Sequence, residues 1–274
     1  MEGNKIVQLP FADVGELLSS GSDWRERAEA TDGIAVPVDE ADFAPLVPRP
    51  EKIICVGANF RDHVAEVGLT LPEQPALFAK YSRSLIGPYD KIVLPPESNA
   101  VDWEVELGVV IGKTIRRVNE GEALAAVAGY TIVNDISMRD WQLRTSQFLQ
   151  GKTFEASTPV GPYLVTPDEV DHARALELSC SVDGEVMQQS VTSELVFSVA
   201  KIVSYISSII TLVPGDLIAT GTPAGVGAAR RPPVYLTSGK SLETRIGGLG
   251  EQRNLCVAHA SELADGESRV SASN

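Results

Sequence analysis

The chain has 274 residues, 37 acidic against 23 basic side chains, a formal net charge of −14 and 43% hydrophobic content. That length accommodates one large or two small domains around a substantial core. The charge argues against nucleic acid or an anionic membrane as partner, because both reward clustered Lys and Arg. No apolar run reaches the ~18 residues of a membrane-spanning helix.

The first residues, MEGNKIVQLP, lack the basic-then-apolar pattern of a signal peptide, so a cytoplasmic protein is expected. Cys55, Cys180 and Cys256 are far apart, with no C-x-x-C, and each lies in an apolar run. They read as core rather than as a disulfide framework or zinc site. A small anionic ligand would need local positive charge against the adverse overall field, from a metal or a few placed Lys or Arg.

Residues 1–46 read as a small N-terminal domain. It carries short helices over Phe11–Leu18 and Trp24–Ala30, the second with Ser22 as candidate N-cap. Pro45, Pro48 and Pro50 punctuate a linker, and a main domain runs over residues 47–260. It opens with a buried strand over Lys52–Gly57. If residues 61–67 are helical, His63 and Glu66 stand three apart and share a face. That is the make-up of a general base with its orienting carboxylate, although a solvated helix carries such pairs by chance. Leu77–Lys80 and Ile92–Leu94 read as further strands.

The stretch Val101–Gly112 (VDWEVELGVVIG) alternates, with Trp103, Val105, Leu107, Val109 and Ile111 on one side and Glu104 and Glu106 on the other. Residues two apart on a strand point the same way, roughly 6.6 Å apart. Two carboxylates held together in dry surroundings require a proton or a cation between them. Tyr130–Val133 is a second strand, ending in Asn134-Asp135, and Asp135 would complete a three-carboxylate set suited to Mg2+ or Mn2+, with Ca2+ also compatible. The alternative is a solvated edge strand with Asp135 capping a turn.

Between these strands Glu120–Ala128 reads as a helix stopped by Gly129. Arg139 and Gln142, just past Asp135, could hold a carboxylate or keto oxygen, or Arg139 could pair with Asp140 at the surface. Gly151-Lys152-Thr153 lacks the earlier glycine of a phosphate-binding loop, which leaves Lys152 as a lone cation opposite the acids. H-E-x-x-H and G-x-S-x-G are absent. Asp183-Gly184 joins two strands in a hairpin, Ser198–Ile210 is an amphipathic helix, and Leu217–Thr220 leads into Gly221-Thr222-Pro223-Ala224-Gly225-Val226-Gly227. A glycine-rich loop after a buried strand lets backbone N–H groups approach an anion. The Ser- and acid-rich residues 261–274 read as a disordered tail.

Taken together, KIICVGANFRDHVAE, VDWEVELGVVIG, AGYTIVNDISMRDWQ, QGKTF and LIATGTPAGVG, in this order, resemble the fumarylacetoacetate hydrolase family from about Lys52 to Ala258. The resemblance implies an α+β fold: a mixed β-sandwich rolled into a barrel-like domain, with a small N-terminal domain, usually as a homodimer. It implies that Glu104, Glu106 and Asp135 bind Mg2+ or Mn2+ and that Lys152 supplies a cation to the substrate oxygens. Arg139 and Gln142 would contact substrate, and Gly221 and Thr222 would bind its carboxylate. His63 and Glu66 match a pair that activates water. Tyr81 stands where many relatives have proline, near the expected pocket rim. The implied reaction is hydrolytic C–C cleavage of an acylpyruvate or related 2,4-dioxo acid, a small anionic 2-oxo acid. Decarboxylation or isomerisation of a 2-oxo acid, hydration of a 2-oxo-enoate, and a catalytically silent binding protein are the alternatives.

Overall fold

The structure, a computed structural model, describes residues 5–259. The expected tail at 261–274 lies outside the described residues. Two mixed sheets pack face to face. The larger has seven strands in the order Ala76–Lys80, Ile53–Gly57, Leu217–Ala219, Val105–Ile111, Val127–Asn134, Thr158–Val165 and Leu85–Ile86. The smaller has five, in the order Glu185–Val191, Glu177–Val182, Ser241–Ile246, Gly250–Ala258 and Ile92–Leu94. With few helices and a strongly curled larger sheet, the architecture is the expected α+β sandwich.

The alternation in Val101–Gly112 explains how the sheets meet. Leu107, Val109 and Ile111 project into the main core with Ile132, Leu178, Leu242 and Ile246, which come from both sheets. The opposite face of the larger sheet is covered too, because Val110, Ala128, Cys55 and Leu217 pack with Leu18 and Val47 of the N-terminal segment. Every residue of Val105–Ile111 is therefore buried. The two acids occupy a covered face rather than the solvated edge that the sequence left open. The chain also breaks at Trp103 and Glu104, so Val101–Asp102 is a separate short strand paired with Ser137–Met138. That second pairing carries the segment after Asp135 back beside Glu104.

Tertiary pairing overrides local propensity in one place. The helix expected over Glu120–Ala128 ends at Leu124, and Gly129 lies inside the strand Val127–Asn134 instead of stopping a helix. That strand pairs with Val105–Ile111 along its length. A Cβ on Gly129 would stand 2.5 Å from the carbonyl oxygen of Val165, so only glycine admits the neighbouring strand. The ladder outweighs the alanine-rich helix signal. Nearer the N-terminus the helices are Val14–Ser19, capped by Asp13, and Trp24–Glu29. Ser22 is not the cap of the second: Asp23 holds that position and bonds Arg27 instead.

The hairpin at Asp183-Gly184 forms with both residues at positive φ, as its tight turn requires. The helix Val199–Ile209 begins at Ser198, whose side chain accepts from the Lys201 N–H, and it buries Val199, Ile202, Val203 and Ile206. All three cysteines are free and buried.

Candidate metal centre and active site

Strand pairing puts the acids together. Glu104 and Glu106 stand on one face at the start of Val105–Ile111, and Asp135 follows the end of the antiparallel strand Val127–Asn134, its N–H donating to the Glu104 carbonyl at 2.9 Å. One oxygen from each of Glu104, Glu106 and Asp135 lies within 4.8 Å of the others, and all three residues are buried.

Cations surround this triad unevenly. Lys152 Nζ lies 2.6 Å from Glu104 and 2.9 Å from Asp135, Lys80 Nζ lies 2.6 Å from the other Asp135 oxygen, and Arg139 lies 2.7 Å from Glu104. Arg139 also donates from Nε to Asp102 at 2.8 Å and from Nη1 to Gln142 at 2.9 Å. The alternative pairing of Arg139 with Asp140 does not occur; Asp140 accepts from Ser98 instead. Among the described residues, four buried carboxylates thus face three cations, and the one without an ion pair is Glu106, which accepts only the Gly221 N–H at 2.7 Å.

The proton affinities follow from that imbalance. Burial favours the neutral form of Glu104, but Lys152 and Arg139 outweigh burial and hold it well below the usual carboxylate range. Burial, then repulsion from Asp135 and Glu104, pushes Glu106 well above that range. Lys152 stays charged: burial opposes its charge, and Asp135 and Glu104 overcome that and raise its pKa. A divalent cation answers this arrangement. It would satisfy Glu106, and the oxygens of Glu104 and Asp135 that already accept one hydrogen bond each keep a lone pair for a metal. An all-oxygen set of three carboxylates suits Mg2+, Mn2+ or Ca2+.

Glu104 and Glu106 of the triad line a cavity of about 430 Å3 whose wall also includes His63, Glu66, Gln142 and Lys152. His63 and Glu66 share a face of the helix Arg61–Glu66, as their spacing predicts, with Nδ1 2.9 Å from the carboxylate. The second Glu66 oxygen accepts from the Gly225 N–H at 2.8 Å, which ties this helix to the glycine-rich loop. Arg139 and Thr222 also line the cavity, and Nη2 of Arg139 is buried without a hydrogen-bond partner.

Two expected substrate contacts are placed differently. Tyr81 is 61% exposed and does not line the cavity; its backbone N–H donates to Thr153, next to Lys152. The glycine-rich loop does approach anions, but they belong to the protein. Gly221 donates to Glu106, Gly225 to Glu66, and Gly227 and Ala228 to Asp102. Gly221 needs φ +102° for this, and a Cβ there would stand 2.8 Å from that of Asn59. Its N–H is therefore committed to Glu106, and Thr222 is the residue of the pair that faces the cavity. Thr222 Oγ1 is itself positioned by Gln188 Nε2 at 2.8 Å.

Lys80, Asp102 and Gln188 were missed by sequence reasoning. Asp102 continues the period-two series of Glu104 and Glu106 and could have been read from it. Lys80 ends an apolar strand, an unusual place for a fully buried lysine unless an acid awaits it. Gln188 carries no sequence signal of its own.

This fold and this buried acidic centre define a family of enzymes. The C-terminal domain of fumarylacetoacetate hydrolase matches residues 52–257, and the chain belongs to that family. A relative, "Oxaloacetate tautomerase FAHD2A, mitochondrial" of Bos taurus, is 46% identical over 246 residues, covering 89% of this chain and 77% of the relative. The fumarylacetoacetate hydrolase of Exiguobacterium antarcticum superposes with a TM-score of 0.77 at 35% identity, covering 83% of this chain and 82% of that one. The fumarylpyruvate hydrolase of Pseudomonas aeruginosa, solved with Mn2+ and pyruvate, gives 0.70 at 30% identity, covering 84% and 94%. No helix among the described residues is long and apolar enough to cross a membrane.

Proposed function

We propose that the chain interconverts the keto and enol forms of a small anionic 2-oxo acid of the oxaloacetate type, the reaction its bovine relative is named for. One observation carries this reading: a hydrogen-bonded His–Glu pair lines the same cavity as Glu104 and Glu106, two members of a carboxylate triad fit for a divalent ion. Mg2+ or Mn2+ held by Glu104, Glu106 and Asp135, or Ca2+ in their place, would supply a Lewis acid and orienting template for the carboxylate and 2-oxo oxygens.

The chain's own groups do the rest. Glu66 holds His63 at Nδ1, which leaves Nε2 to take a proton from the carbon beside the carbonyl. Lys152 keeps its charge and stabilises the negative charge that grows on the 2-oxo oxygen. His63 returns the proton to oxygen or to carbon, which completes the interconversion in either direction. Arg139, through its unpartnered Nη2, holds the carboxylate together with Gln142 and Thr222. Val67, Leu69 and Phe148 give the cavity an apolar side.

A second reading, hydrolytic C–C cleavage of an acylpyruvate, is favoured by the same His63. A base fixed by Glu66, itself anchored to Gly225, can take a proton from water as readily as from carbon. Decay of enol-oxaloacetate absorbance and pyruvate release from acylpyruvates, each measured with Mn2+-loaded protein, separate the two. The tautomerase reading expects fast enol decay with little acylpyruvate cleavage; cleavage alone would favour the hydrolase, and neither activity would defeat both. The proposal includes a homodimer without nucleic-acid or membrane partners, in the cytoplasm, although the bovine relative is named mitochondrial.

A further inference from the structure

We propose that Arg231, which lines the same cavity as Glu104 and Glu106, determines specificity: its guanidinium receives a second carboxylate of the substrate and selects 2-oxo dicarboxylates over 2-oxo monocarboxylates. This rests on the 2-oxo acid reading above and narrows its substrate class.

The inference comes from how charge is spent along the cavity. Arg139 and Lys152, the cations at the acidic end, are both tied to carboxylates at hydrogen-bond distance. Arg231 also lines the cavity but is exposed, and among the described residues it makes no hydrogen bond or ion pair. In a chain with 37 acidic and 23 basic side chains, a wall arginine left without an acid is conspicuous. Its neighbour Arg230 is used differently, donating to the Met187 carbonyl at 2.9 Å and lying 6.0 Å from the centre of the Trp103 ring. Of the Arg-Arg pair, one arginine serves packing and the other serves the cavity.

The rest of the cavity wall matches such a ligand. Val67, Leu69, Leu143, Phe148 and Val226 make an apolar wall, suited to the carbon chain of an acid charged at both ends. A single carboxylate held by Arg139 would leave Arg231 without a partner. Pro232 and Pro233 follow directly and each fixes its own φ, restricting the backbone that presents Arg231. A guanidinium is the side chain best matched to a carboxylate, through two parallel N–H···O bonds.

The experiment compares Mn2+-loaded wild type, R231Q and R231K on two substrate pairs: oxaloacetate with its 4-methyl ester, and fumarylpyruvate with acetylpyruvate. Wild type is expected to prefer the diacid of at least one pair. R231Q should lose roughly tenfold in kcat/KM for that diacid, through KM with kcat kept, and leave its monoacid unchanged. R231K should recover part of the loss. The proposal is overturned if R231Q keeps the wild-type preference, or if both members of a pair weaken equally. Wild-type turnover without any preference defeats the role of Arg231 alone, whereas no turnover of any 2-oxo acid removes the proposed function and this inference with it.

Discussion

Replacing Glu106 with glutamine makes the electrostatic argument measurable without any substrate. Glu106 is buried, faces Asp135 and Glu104, and has no ion pair of its own, so the metal-free protein holds a proton there that the unfolded chain would release. The sign follows directly. Between the unfolded carboxyl's value near 4.5 and the raised folded value, the folded state binds more protons than the unfolded one, so stability falls as pH rises through that window. Each tenfold rise in proton affinity corresponds to about 1.4 kcal/mol. The amide oxygen introduced by E106Q can still accept the Gly221 N–H, and the new side chain carries no charge. Metal-free E106Q should therefore match wild type near pH 4.5 and melt at a higher temperature than wild type at pH 8, with about 2 °C in Tm for each kcal/mol of difference in a chain of this size. Glu104, held below the usual range, contributes the same stability to both proteins over this range and cancels in the comparison.

Metal acts in the opposite sense. Mn2+ at about 100 times its Kd should stabilise wild type by about 2.7 kcal/mol, release a proton on binding, and do little for E106Q. Thermal melts of both proteins at pH 5 and pH 8, with EDTA or Mn2+, read all four arms. The reasoning is refuted if metal-free E106Q gains nothing over wild type at pH 8, or if Mn2+ protects the variant as well as the parent.

Other substitutions probe the surrounding framework. H63N should lower kcat about 10²–10⁴-fold with little change in KM, in steady-state assays on enol-oxaloacetate, because it removes the proton carrier and spares the carboxylate contacts. K80M leaves one Asp135 oxygen without its 2.6 Å partner and should cost about 3–5 kcal/mol in urea unfolding of the metal-free protein, with much of the loss recovered by Mn2+. G221A places a Cβ 2.8 Å from that of Asn59 at φ +102°; it should destabilise by about 1–3 kcal/mol and weaken Mn2+ binding in calorimetry, because the N–H that holds Glu106 moves.

Much of the site was legible because strand periodicity is a local property. Two glutamates two residues apart share a face wherever the backbone is extended, and His63 and Glu66 meet as soon as one helical turn forms. What a single sequence hides is who answers whom across the sheet. That Lys80 would reach Asp135, that Arg139 would bridge Asp102 and Glu104, and that Gln188 would hold Thr222 all depend on contacts 34 to 55 residues apart in the chain. The glycine-rich loop was read as an anion cradle on sound backbone grounds, but sequence cannot say that the anions are Glu66, Asp102 and Glu106. Tyr81 is expected near the rim from the family resemblance alone, and it is 61% exposed and does not line the cavity. The helix expected to run to Ala128 failed for a related reason, since pairing with Val105–Ile111 decides that segment.

Anomalous diffraction at the manganese edge, from crystals soaked in Mn2+, tests the central claim most directly. The account predicts one strong peak per chain, bound by oxygens of Glu104, Glu106 and Asp135 with His63 across the cavity, and no such peak in E106Q. Crystals with full manganese elsewhere and none among these carboxylates would contradict it.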